Sequence, residues 1–411
     1  SGNYKLSKFD RISTGRISGK LLAFGIMVAA FIMSMVLAAP IMGLGSQIPA
    51  IFTPILSNIM GNLGVFPLVS QIVSVLIPNT IYFSLSMAGF VFGVNFVFSF
   101  LEDVGYIARI AYVFDGPMSR LGVTGKSVCS MLMGMGCTIG GASGSRVIDD
   151  YGQRVLTIAL TWTVPCAAIW SVVPVLAAIF FGSGAAFVML GIVLYMVILM
   201  WVISLVFGKS LSPKENRKGM LMELPPYHKP HWKNILYVAW IRAQDIFVRA
   251  LRTVFVISVI FFCFSFSPSG DIEGSLLYKI GILIEPVTRL FGLGWQTFMA
   301  FLASAFAKEA VLGVLNAVFT GQGSLLSGTF EAKTMGVNGD LLAQAMPMVI
   351  SKAEALAFLF AVSFNVPCIM ALSSTYRETH SLKWTARLAI FFTLSALVLA
   401  GIVYHVAGIF L

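Results

Sequence analysis

Charge is scarce in this chain. Asp, Glu, Lys and Arg make up only 11% of its 411 residues, against about 25% in a soluble domain, so it cannot cover a water-facing surface. Histidine occurs four times without a metal-spaced pair, and His228 and His231 lie in a basic polar segment that solvates them. The five cysteines, all in apolar surroundings, outline no disulfide framework. No nucleophile–base or paired acid/base constellation is present, which argues against an enzyme embedded in the membrane. Nucleotide-binding fingerprints are missing too. Gly122-Val123-Thr124-Gly125-Lys126-Ser127 imitates the end of a phosphate-binding loop, but Arg120 stands where its first glycine is required. Nor does Ser1 to Lys20 resemble a cleavable signal peptide, being polar, basic and followed by a full-length apolar run.

What the chain has is apolar length. Hydrophobic residues make up 58% of it, the mean hydropathy is +0.91, and the apolar runs are continuous. Runs of about 20 residues are membrane-spanning helices, whereas an outer-membrane barrel alternates over about ten. The fold class is therefore all-α and polytopic. The net charge of +10 sits in short segments between the apolar runs, where it sets topology and does not bind nucleic acid.

Read in order, the chain divides into a basic cytoplasmic linker (1–20), amino-terminal spans and interfacial or re-entrant helices (21–101), a first repeat (102–207), a cytoplasmic segment (208–252), a second repeat (253–387) and a final span (388–411). Within these, Trp232 to Leu251 reads as an amphipathic interfacial helix, Thr253 to Phe266 as a span that is short unless extended and Trp295 to Phe319 as a further crossing. The basic residues between Gly208 and Arg252 mark that segment as cytoplasmic, which puts the amino terminus inside and the carboxyl terminus outside. Under that assignment the two repeats are inverted.

The repeats show in a shared motif. Pro117-Met118-Ser119-Arg120-Leu121 runs to Gly125 and is followed by Val164-Pro165-Cys166; Pro286-Val287-Thr288-Arg289-Leu290 runs to Gly294 and is followed by Val366-Pro367-Cys368. Each proline inside an apolar run lacks an N–H and frees a carbonyl one turn back, which a membrane tolerates where backbone lines a cavity or packs against protein. Broken helices in both halves of a duplicated fold are how many transporters build a substrate site. Cys166 and Cys368 are the first candidate metal ligands. Cys137, ending Met133-Gly134-Met135-Gly136-Cys137, is the third. Glu309 lies in the middle of its apolar run and is the fourth; Lys308, Lys352 and Glu354 read as charge balance, with Glu354 a weaker candidate than Glu309. Thiolates suit soft or borderline metals and a carboxylate adds affinity for harder ones. Cys129 and Cys263 read as core.

These residues resemble the membrane domain of the bacterial ferrous iron transport protein B family. Leu101-Glu102-Asp103-Val104-Gly105-Tyr106-Ile107-Ala108-Arg109 is similar to its acidic signature. Gly134-Met135-Gly136-Cys137 with Arg146 and Arg154-Val155-Leu156-Thr157 resembles the first gate motif, and Ala307-Lys308-Glu309 with Val366-Pro367-Cys368 and Arg377-Glu378 the second. Glu223-Leu224-Pro225-Pro226-Tyr227 resembles a cytoplasmic motif of the family, and Lys5 to Arg11 the stretch leading into its first span. The resemblance implies two gate-type repeats importing Fe(II) across the bacterial cytoplasmic membrane, with Cys137, Cys166, Cys368 and Glu309 along the path. It also implies a GTP- and magnesium-binding cytoplasmic domain, either cut away or on a separate chain, and small accessory cytoplasmic proteins; the chain itself is then no enzyme. Self-association stays open. Thr138-Ile139-Gly140-Gly141 replaces the family's usual Asn-Val-Pro-Ala, and Ile169 stands where an arginine is usual. A carrier for manganese or zinc is therefore an alternative, and a nucleoside-type permease a more distant one.

Overall fold

A computed structural model describes residues 13, 15, 18–45, 47–64, 66, 69–70, 72–213, 229–265, 276–308, 310–320 and 346–410. Among them every regular element is helical. In chain order these are α1 (Ser18–Gly45), α2 (Gln47–Asn62), α3 (Ile77–Asp103), α4 (Tyr106–Arg120), α5 (Ser127–Gly136), α6 (Thr138–Gly144), α7 (Tyr151–Thr163) and α8 (Ala167–Phe181). Then come α9 (Ala185–Leu211), α10 (Trp232–Ser265), α11 (Leu276–Thr288), α12 (Trp295–Phe306), α13 (Ala310–Thr320), α14 (Lys352–Phe364), α15 (Ile369–Thr379) and α16 (Leu382–Phe410). Five stretches are long and apolar enough to cross a membrane: Ser18–Asn62, Ile72–Asp103, Tyr151–Leu211, Lys352–Thr379 and Leu382–Ile409.

Burial sorts them. The apolar window of Lys352–Thr379 is 72% buried, against 33% for Leu382–Ile409 and 22% for Ser18–Asn62. The interrupted α14–α15 stretch is therefore shielded by protein, as broken helices in a bilayer must be. The largest apolar cluster joins Leu160 of α7, Leu176 of α8, Ile192 of α9, Phe301 of α12, Phe358 of α14 and Phe392 of α16. Outer helices instead present apolar side chains outward, among them Phe24, Phe187, Trp201 and Ile402, which suits contact with lipid.

The shared proline motif turns out to be a helix stop. In the first copy the Val123 N–H donates to Met118 O, and in the second the Leu293 N–H donates to Thr288 O, both at 3.2 Å. This six-to-one closure ends a helix and needs a left-handed residue, supplied by Gly122 (φ 86°) and Gly292 (φ 71°). The last glycine then gives its N–H to a carboxylate: Gly125 to Asp115 Oδ1 and Gly294 to Glu354 Oε1, each at 2.8 Å. Gly125 also has no room for a side chain, because a Cβ there would overlap the Ala111 carbonyl oxygen. Both copies thus re-aim the chain into a broken helix, α5 or α12.

Two expectations need correcting. Residues 232–265 form one continuous helix, α10, so the boundary drawn at 252 falls inside it. α10 packs along the whole-span helix α3, with Arg242 Nη1 donating to the buried Asn95 Oδ1 at 2.7 Å; tertiary packing carries the helix through the change in polarity. The expected crossing from Trp295 to Phe319 is interrupted at Ala307 and Lys308, for a reason that lies in the site itself.

Candidate functional site

Four interruptions carry the site, two in each half. The first follows α5, where Cys137 is extended (φ −147°, ψ 125°) before α6. The second is Val164-Pro165-Cys166, between α7 and α8. In the second half Ala307 takes nearly the backbone geometry of Cys137 (φ −151°, ψ 129°) after α12, and Asn365-Val366-Pro367-Cys368 separates α14 from α15. Cys137 and Ala307 also close their helices alike, each N–H reaching back four residues to Met133 O or Ala303 O.

Backbone groups freed at these points find partners inside the protein, as they must at membrane depth. The Pro165 carbonyl accepts from the Trp170 indole at 3.0 Å. At the second-half breaks the bracing is reciprocal. Lys308, 5% exposed, donates from Nζ to Val362 O at 2.9 Å and Asn365 O at 3.4 Å. Asn365, 3% exposed, donates from Nδ2 to Ser304 Oγ at 2.9 Å and Phe301 O at 3.2 Å. Each interruption thus fastens the other.

Around Cys137 the first half relies on close approach of glycine backbone. A Cβ on Gly134 or on Gly141 would overlap Thr161 Cγ2, and one on Gly136 would crowd Val94 Cγ2. The glycines of Met133-Gly134-Met135-Gly136-Cys137 therefore let α5 and α6 lie against α7 and α3. Gly134→Ala will overpack this contact and lower stability by about 1–3 kcal/mol. Thr161→Ser removes the opposing methyl yet keeps the hydroxyl that donates to Thr157 O, so the double variant will regain most of the loss in a thermal melt.

The two halves meet where α6 packs against α15. Ser374 Oγ donates to Ile139 O at 3.4 Å, Tyr151 OH to Thr379 O at 3.0 Å and Trp162 Nε1 to Thr375 Oγ1 at 3.2 Å. Arg146 grips Glu378 with both Nε and Nη2, at 2.6 to 2.9 Å. This bond to Glu378 holds the Arg146 guanidinium above its ordinary pKa.

The candidate ligands separate into two places. Cys137 and Cys368, both half-buried, pack on one small cluster made of Val91, Ile139, Ile246, Ala250, Met370 and Ala371. They come from different halves and sit at the starts of the two helices that meet. Cys166, also half-buried, packs instead against the large core. Among the described residues no group of three His, Cys, Asp or Glu side chains converges. Glu309, Glu223 to Tyr227 and Lys5 to Arg11 lie outside the described residues. Glu354 serves the fold, since its Oε1 accepts from Gly294 N and Thr297 Oγ1, both at 2.8 Å, and so ties α14 to α12. Sequence reasoning passed over Asn365, whose signal was its place directly before Val366-Pro367, and read Lys308 only as charge balance, although an ionisable group within an apolar run marks a buried partner.

Residues 84–182 match the Gate family model, described as nucleoside recognition, and residues 189–242 match the ferrous iron transport protein B C terminus. A relative named Fe(2+) transporter FeoB from Shigella flexneri is 30% identical over 364 residues, covering 77% of this chain and 46% of the relative. Escherichia coli (strain K12) has a relative of the same name with the same identity and coverage. A third, from Salmonella typhimurium, is 30% identical over 335 residues, covering 70% of this chain and 43% of the relative. The chain thus spans less than half the length of these relatives. With an all-helical fold and five helices apolar enough to cross a membrane, it carries the membrane region of the ferrous iron transport protein B family.

Proposed function

We propose that this chain is the permease part of a ferrous iron transporter, importing Fe(II) across a bacterial cytoplasmic membrane between two inverted gate repeats. The observation that carries the reading is that Cys137 and Cys368 pack on one apolar cluster, each at a helix interruption and each from a different half. Fe(II) is borderline-soft, so thiolates with carboxylate support suit it as cargo. Cys166 extends the path along the core face, and Glu309 supplies negative charge next to Lys308 in sequence. Few ligands at any one point favour release as well as entry.

The amino terminus lies in the cytoplasm and the carboxyl terminus outside. A cytoplasmic domain that hydrolyses GTP with magnesium, together with small accessory proteins, controls the path; the chain described here performs no hydrolysis. The altered first gate at Thr138 to Gly141 favours a second reading, a carrier for Mn(II) or Zn(II). Anaerobic uptake of radioactive Fe(II) into liposomes holding the purified chain tests these. Fe(II) will accumulate, and equimolar Mn(II) or Zn(II) will leave most of that flux in place. Block of the flux by either ion would favour the second reading, and accumulation of uridine with no iron would replace both.

A further inference from the structure

The interruption at Asn365 does more than bend a helix. In a continuous helix the Val366 N–H would donate to Val362 O. Here it is diverted to Asn365 Oδ1 at 2.7 Å, which frees the Val362 carbonyl. That oxygen, with Asn365 O, faces the Lys308 ammonium. The Asn365 side chain is itself held by Ser304 Oγ and Phe301 O, so both carbonyls are fixed in place. Two preorganised backbone oxygens on a positive charge, buried at a helix interruption, are the arrangement by which discontinuous helices coordinate cations. The same interruption carries Cys368.

We propose that the Val362 and Asn365 carbonyls form a cation seat on the transport path, and that the Lys308 ammonium is a tethered cation which the divalent cargo displaces. This rests on the metal-transport reading above and gives it a resting state. With no cargo, Lys308 satisfies the two oxygens and keeps solvent monovalent ions out. An arriving divalent ion carries twice the charge, so it outcompetes an amine on a flexible four-carbon stem. Ammonium and cargo cannot share the seat, because like charges at contact distance in a poorly solvated interior repel strongly. Lys308 is accordingly a specificity-setting residue: it raises the charge a cation must bring to enter.

The test uses Co(II), an air-stable divalent ion with ligand preferences close to those of Fe(II), titrated calorimetrically into the purified chain. Lys308→Gln keeps an amide donor for the carbonyls but removes the charge, and will bind Co(II) on the order of tenfold more tightly or better. It will also bind Na(I), and the unaltered chain will not. Lys308→Arg keeps the positive charge and will show neither the gain in Co(II) affinity nor the Na(I) binding. Equal or weaker Co(II) binding by a folded Lys308→Gln chain would overturn the proposal. A second measurement needs no variant: acetylation of Lys308 by acetic anhydride, read by peptide mass spectrometry, will rise on adding Co(II). Protection that Co(II) leaves unchanged would also overturn it. Tighter Co(II) binding in a chain that moves no Fe(II) into liposomes would leave this seat standing and remove the iron reading. Intact Fe(II) uptake with unchanged Co(II) binding would do the reverse.

Discussion

Serine in place of Cys368 will lower Fe(II) flux through the reconstituted chain by roughly 10–100-fold, the loss seen when even a supporting group at a metal site is removed. Cys137→Ser will do the same. A hydroxyl has nearly the size of a thiol but is a poor ligand for a borderline-soft ion and does not ionise at neutral pH. Both sulfurs sit half-buried on the cluster of Val91, Ile139, Ile246, Ala250, Met370 and Ala371, so the exchange removes no large packing volume. Membrane insertion and thermal stability will therefore stay close to those of the parent. Cys166→Ser separates two versions of the path. A comparable loss places all three thiols in series, while normal flux confines the path to the contact between α6 and α15. Unchanged uptake in both Cys137→Ser and Cys368→Ser would take the thiols out of transport altogether.

The second large effect is an asymmetry. Glu378 shows only 6% of its side chain, whereas Arg146 shows 70%. Arg146→Ala leaves a buried carboxylate that has lost three charge-assisted hydrogen bonds, at a cost of about 2–4 kcal/mol after allowing for the exposed half of the pair. Glu378→Gln leaves an exposed guanidinium that water solvates, and keeps an amide oxygen to accept from it, so it will cost about 1 kcal/mol or less. Thermal melts of the two variants in one detergent give the order. Equal losses would mean that the pair adds nothing beyond the packing of α6 on α15. Because Arg146 belongs to the first half and Glu378 to the second, the Arg146 variant will also be the more readily cleaved by protease near 145–147.

Much of this was legible before any coordinates. Both Val-Pro-Cys interruptions appear where proline cannot extend a helix, and the break at Cys137 follows from the glycines around it. The motif ending in Gly125 and Gly294 announced two equivalent points, and both stop a helix in the same way. What the motif did was not legible. Its closing carboxylates come from Asp115 in one copy and Glu354 in the other, one ten residues upstream and the other sixty downstream, so no local pattern links them.

Composition and hydropathy alone determined the environment, the all-helical class and the position of the proline breaks, because each depends on a local property: transfer free energy per residue or a missing N–H. Tertiary structure alone decided the rest. Ala307-Lys308 consists of residues that favour helix, yet it is interrupted where the Lys308 ammonium meets the Val362 and Asn365 carbonyls at the end of α14. That Cys137 and Cys368 share one cluster while Cys166 lies on another was likewise set by which helices pack together. A sequence records which groups need a partner; only the packed chain determines which partner each one reaches.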